Sequence, residues 1–132
     1  MKRIFNLTAC ALPLALLFVA GCGGGNAGQV EGTVTIGGEA APVGVEVSFS
    51  PDSGEGTSGY AYTEEGGHYT LTMPGDKPDI PIGTYTVRIG SEVENEDGET
   101  VAILPIPAEY GEDSTQKCEV IKGPQTYDIA VP

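Results

Sequence analysis

Tryptophan is absent from this chain of 132 residues, histidine occurs once, and only 6 residues are Lys or Arg against 19 Asp or Glu. Each shortage removes a class of function. Zinc peptidase chemistry needs several imidazole or carboxylate ligands converging on one ion, and here a lone imidazole, His68, would have to serve. A Ser-His-Asp site would need that same His68, and no serine lies in a Gly-x-Ser-x-Gly nucleophile elbow. His68 therefore reads as a plain surface residue, and the chain as a protein that is not an enzyme. Without tryptophan there is no strong platform for sugar rings. Without a basic cluster there is nothing to neutralise phosphates, so nucleic acid is not an expected partner.

Lys2 and Arg3 precede an apolar run at residues 11–18, shorter than the roughly 20 apolar residues that span a bilayer. A positive stretch followed by a short apolar one reads as a cleaved export signal over residues 1–21. It ends in Val19-Ala20-Gly21-Cys22, which resembles a bacterial lipobox. That resemblance implies a diacylglycerol thioether on Cys22 and a third acyl chain on the new N-terminus, so that the membrane is a partner through Cys22. The expected location is that of an exported, membrane-anchored lipoprotein on the periplasmic face or the cell surface. At about 0.8 kcal/mol per buried CH2, one acyl chain holds marginally and two or more hold stably.

Removing the signal leaves 132 − 21 = 111 residues, enough for one domain with a real core. The remaining chain keeps four basic residues (Lys77, Arg88, Lys117, Lys122) against all 19 acidic ones, a formal charge of 4 − 19 = −15. Such a field repels nucleic acid and anionic headgroups and favours cations or basic partners. Of the three cysteines, Cys10 leaves with the signal and Cys22 carries lipid, so Cys118 is left unpaired and no disulfide framework forms. Cys118 reads as a small buried hydrophobe. Residues 22–28, the lipidated Cys followed by a Gly-rich stretch, form the expected tether; its six residues after Cys22 reach at most roughly 20 Å. Residues 29–132 form the expected domain.

From Val30 the apolar pattern has a period of two: Val30, Gly32, Val34 and Ile36 alternate with Glu31, Thr33 and Thr35. Gly37-Gly38 reads as a turn, after which Val43, Val45, Val47 and Phe49 alternate again until Pro51. Residues 60–63 and 68–73 read as two strands of a hairpin joined by Glu64-Glu65-Gly66-Gly67. Three prolines in residues 74–81 mark a crossing loop. Tyr85, Val87 and Ile89 then point inward from a strand at residues 83–89, with Thr86 and Arg88 outward. Residues 91–99 hold five carboxylates and read as a solvated loop. Residues 101–104 could resume the strand, Tyr110 is expected across an open end of the core, and residues 118–121 and 127–131 read as closing strands. Seven short strands with turn signals between them and no helical pattern predict an all-β, seven-stranded antiparallel Ig-like or prealbumin-like sandwich.

Four phrases stand in order: Val30-Glu31-Gly32-Thr33-Val34; Pro42-Val43-Gly44-Val45-Glu46-Val47-Ser48-Phe49; Thr63-Glu64-Glu65-Gly66-Gly67-His68-Tyr69-Thr70-Leu71; and Ile82-Gly83-Thr84-Tyr85-Thr86-Val87. Together they resemble the carboxypeptidase regulatory-like domain, a transthyretin-like sandwich, as found in small bacterial lipoproteins. Glu64 and Gly66 stand where that family usually has Asp and Asp or Asn. The resemblance is to an accessory domain and implies no proteolysis. Transthyretin-like hydrolases, the enzymes nearest in fold, use more than one histidine and a C-terminal Tyr-Arg-Gly-Ser, whereas this chain ends Asp128-Ile129-Ala130-Val131-Pro132.

Two further features bear on binding. Glu92, Glu94, Asp97 and Glu99 could form a loose calcium site, although in EF-hand spacing Val93 and Leu104 occupy the first and twelfth ligand positions. Tyr69 and Tyr85 fall on inward periods and read as core, while the face of Tyr60 and Tyr62 is open. The expected function is a lipid-anchored cell-envelope binding or structural module with an envelope protein or polysaccharide as partner. The alternatives are a calcium-dependent module using residues 91–99 and, less favoured, a transthyretin-like hydrolase.

Overall fold

The structure, a computed structural model, describes residues 27–132, so Cys22 and the signal lie outside the described residues. Eleven strands form two sheets around one core: β1 (Ala27–Ile36), β2 (Glu39–Ala40), β3 (Val45–Pro51), β4 (Gly59–Tyr62), β5 (His68–Thr70), β6 (Ile80–Pro81), β7 (Gly83–Glu94), β8 (Thr100–Ile103), β9 (Lys117–Val120), β10 (Gly123–Thr126) and β11 (Ile129–Val131). The all-β sandwich expected from the sequence is the architecture.

Ten-residue β1 is the spine of the first sheet, because its alternation buries Gly28, Val30, Gly32 and Val34 and turns Gln29 and Glu31 to water. Short β6, β5 and β2 pair antiparallel with successive parts of it. β10 and β11 pair with it parallel, Gly28 opposite Gly123 and Val34 opposite Ile129. The second sheet is antiparallel throughout: β3 lies between β4 and β7, and β7 pairs with β9 along its first half and with β8 along its last residues. Val45, Val47 and Phe49 of β3 and Tyr85, Val87, Ile89 and Val93 of β7 face the first sheet. The Phe49 ring meets Tyr127 edge-on at 5.9 Å and Tyr85 at 6.2 Å.

Four expectations are corrected. The count is eleven strands, not seven, because two-residue strands such as β2 and β6 carry no period that a sequence can display. The turn expected at residues 122–125 is instead the parallel strand β10 from Gly123 onward. The hairpin expected across residues 60–73 is a crossing between sheets: β4 pairs with β3, β5 pairs with β1, and only a Tyr60–Thr72 bridge joins their segments. Gly67 makes that crossing, since its φ of 73° favours glycine and a Cβ there would run into the Val34 carbonyl. Finally, β7 continues through Ser91 to Glu94 with Val93 buried, so the acidic segment is the tip of a β7–β8 hairpin rather than a nine-residue loop.

Candidate functional site

A concavity of about 550 Å³ lies on the outer face of the second sheet. Its floor follows from strand alternation. With Val45, Val47 and Ile89 turned inward, Glu46 and Ser48 of β3, Arg88, Gly90, Glu92 and Glu94 of β7, and Tyr62 of β4 turn outward. One wall is the irregular segment at residues 104–116, in which a 3-10 turn spans Ala108–Tyr110. That segment fills the edge of β7 between β8 and β9: Val87 N donates to Gln116 O at 2.9 Å, and the Ser114 hydroxyl donates to Val87 O. Ile106 and Tyr110 pack on the core from it, as expected for Tyr110.

The groove is acidic. Glu46, Glu92, Glu94 and Glu112 line it with one guanidinium, Arg88. The Tyr62 hydroxyl donates to Glu46 Oε2 at 3.3 Å, and its acidity is weakened by partial burial first and by the Glu46 charge second. Beside it runs β8, an edge strand with all four residues exposed, Val101 at 60% and Ile103 at 74%. A free edge with unpaired backbone groups can accept an extended partner strand.

The candidates from sequence fall in different places. Cys22 lies outside the described residues. Glu92 and Glu94 line the groove, while Asp97 and Glu99 sit in the hairpin turn, where their backbone N–H groups donate to Asn95 Oδ1 at 3.0 and 2.9 Å. The four carboxylates are not brought together: among the described residues no three His, Cys, Asp or Glu side chains are placed to hold a metal ion. His68 sits on β5, its ring 43% exposed and 3.8 Å from Glu31. No hydroxyl or thiol among the described residues hydrogen-bonds to it. Cys118 is buried on β9, and burial pushes its thiol up to about 11, which keeps it protonated and unreactive. Tyr69 and Tyr85 are core, Tyr69 donating to Tyr127 O and Tyr85 to Pro81 O at 2.7 Å. Tyr60 and Tyr62 face outward, 45% and 53% exposed.

Sequence reasoning missed the partnership of Glu46, Tyr62 and Arg88 in one groove. The signal was present in the outward alternation of their strands, but the pairing of β4 with β3 was needed to bring Tyr62 beside Glu46. No family model, curated protein or solved structure matches this chain.

Proposed function

We propose that this protein is an exported lipoprotein, anchored through Cys22, whose sandwich serves as a non-catalytic binding or structural module of the cell envelope with the acidic groove and the β8 edge as its contact face. The observation that carries the reading is the placement of that face. β1 starts at Ala27, five residues after Cys22, whereas Glu94, Glu92 and β8 lie at the other end of β7, where Gly44 O accepts from Glu94 N. A module tethered at one end would thus present its carboxylates and free strand edge toward the envelope space. The lipobox and the four ordered phrases of a carboxypeptidase regulatory-like domain support the same reading.

Fractionation and cross-linking test it. The wild-type chain is expected in the membrane fraction and Cys22→Ala in the soluble fraction with its sandwich intact. A photoreactive residue at Tyr62 is expected to capture a recurrent protein or polysaccharide neighbour in cells. Retention of Cys22→Ala in the membrane overturns the anchor, and the absence of any recurrent neighbour at Tyr62 overturns the contact face.

A further inference from the structure

The end of the sandwich where β1 starts carries an exposed apolar pair. β7 and β9 pair from Gly83 opposite Val120 to Thr86 opposite Lys117, so Ile82 and Ile121 are the next residues beyond the ladder on the two strands. Both are large, apolar and exposed, Ile82 at 45% and Ile121 at 53%. They flank the chain's point of arrival from Cys22. Ala27 pairs with Pro81 and Gly28 with Ile80 and Gly123. Gly28 lies so close to the Ile121 carbonyl that a Cβ there would collide with it. Exposed Lys122 follows directly.

Charge separates along the long axis. β7 has 12 residues, so its ends are roughly 35 Å apart. The far end gathers Glu39 after β1, Glu64 and Glu65 in the crossing, and Glu94, Glu96, Asp97 and Glu99 at the β7–β8 tip, with no Lys or Arg among these segments. At the near end there are fewer carboxylates and two lysines: Asp52 accepts from Lys117 Nζ at 3.0 Å, Asp79 accepts from the neutral Gln29 Nε2 at 3.1 Å, and Glu55 and Glu119 share this end with exposed Lys122.

We infer that the near end is a docking surface for the lipid bilayer itself: Ile82 and Ile121 enter the headgroup region beside Lys122, and the sandwich stands upright with its acidic end away from the membrane. This rests on the anchored reading above. Four residues, 23–26, separate Cys22 from Ala27, so the five steps from Cys22 place the Ala27 Cα within at most roughly 18 Å of the Cys22 Cα. At that range the neighbouring isoleucines reach the interface, where apolar side chains and a lysine gain contact with acyl chains and anionic headgroups. The far-end carboxylates are repelled from the same headgroups, and both effects select one orientation.

The full lipidated protein, purified from membranes and reconstituted into phosphatidylethanolamine–phosphatidylglycerol vesicles, provides the test. Environment-sensitive labels at Thr84→Cys and, separately, Thr100→Cys report on the two ends, both positions being exposed. Cys118, 3% exposed, does not compete for the label. The expected result is flotation with the vesicles and a loss of fluorescence at position 84, but not at 100, when headgroup-region spin-labelled lipid is included. Ile82→Glu combined with Ile121→Glu should abolish the loss at 84 while flotation persists. Flotation with equal quenching at both positions overturns the docking and leaves the anchor standing. Failure to float overturns both.

Discussion

At the scale of single residues, buried groups that ionise only at high pH bind the fold to its protonation state. Burial raises the Cys118 thiol from 9.0 to about 11, and burial also raises the hydroxyls of Tyr69, Tyr85 and Tyr127 above their ordinary 10.0. A raised pKa in the folded state means that the fold holds its proton more tightly than the unfolded chain. The stability tied to Cys118 is therefore fully present below about pH 9 and is lost as pH rises toward about 11. The unfolding free energy from urea titrations should fall across that window, and Cys118→Ala should lessen the fall. On the acid side, the Thr86 hydroxyl and then Lys117 lower the Asp52 carboxyl. Its contribution is present above the ordinary carboxylate range and fades as pH drops through it, and the exposure of the pair makes it small.

Among elements, the sheets are joined where the chain changes from one to the other, and Thr63 secures that place. It is 1% exposed, its hydroxyl donates to Pro42 O at 2.6 Å, and its oxygen accepts from Val45 N at 3.0 Å. One side chain thus ties the end of β4 to the start of β3 and to the segment returning from β2. Thr63→Val keeps the shape and strands both backbone groups in a dry site, so a loss of about 2–4 kcal/mol is expected by equilibrium unfolding. A loss below about 0.5 kcal/mol would show that relaxation or water replaces both bonds. The sequence offered Thr63 only as the last residue of a strand at 60–63. Its burial depends on the crossing, which local signals disguise as a hairpin because the Gly-rich turn chemistry of the two is the same.

For the whole molecule, stability comes from one apolar layer between the sheets, with Phe49 at its centre. It contacts Tyr85 in its own sheet and Tyr127 from the segment entering β11, and it is 0% exposed. Phe49→Ala should cost about 3–5 kcal/mol and lower the thermal midpoint cooperatively for probes in both sheets. The surface shows the complementary pattern: a net charge far from zero, concentrated away from the end where the chain arrives from Cys22. Seven carboxylates with no Lys or Arg thus gather at the end of β7 far from Ile82 and Ile121.

The sequence by itself determined what depends on neighbours along the chain: the period-two burial of Val30 and Val34, of Val45, Val47 and Phe49, and of Tyr85, Val87 and Ile89, and with it the all-β sandwich. It also carried the lipobox-like Val19-Ala20-Gly21-Cys22, the acidic balance and the lone histidine. Tertiary structure alone decided what depends on residues far apart in sequence. Parallel pairing of β10 with β1 brings Gly28 against Ile121, pairing of β4 with β3 brings Tyr62 to Glu46, and the length of β7 sets Ile82 and the acidic tip at opposite ends. Alternation reports which face of a strand is buried but not which strand lies beside it, because a strand's partner is chosen by non-local hydrogen bonds and packing that leave no period of their own.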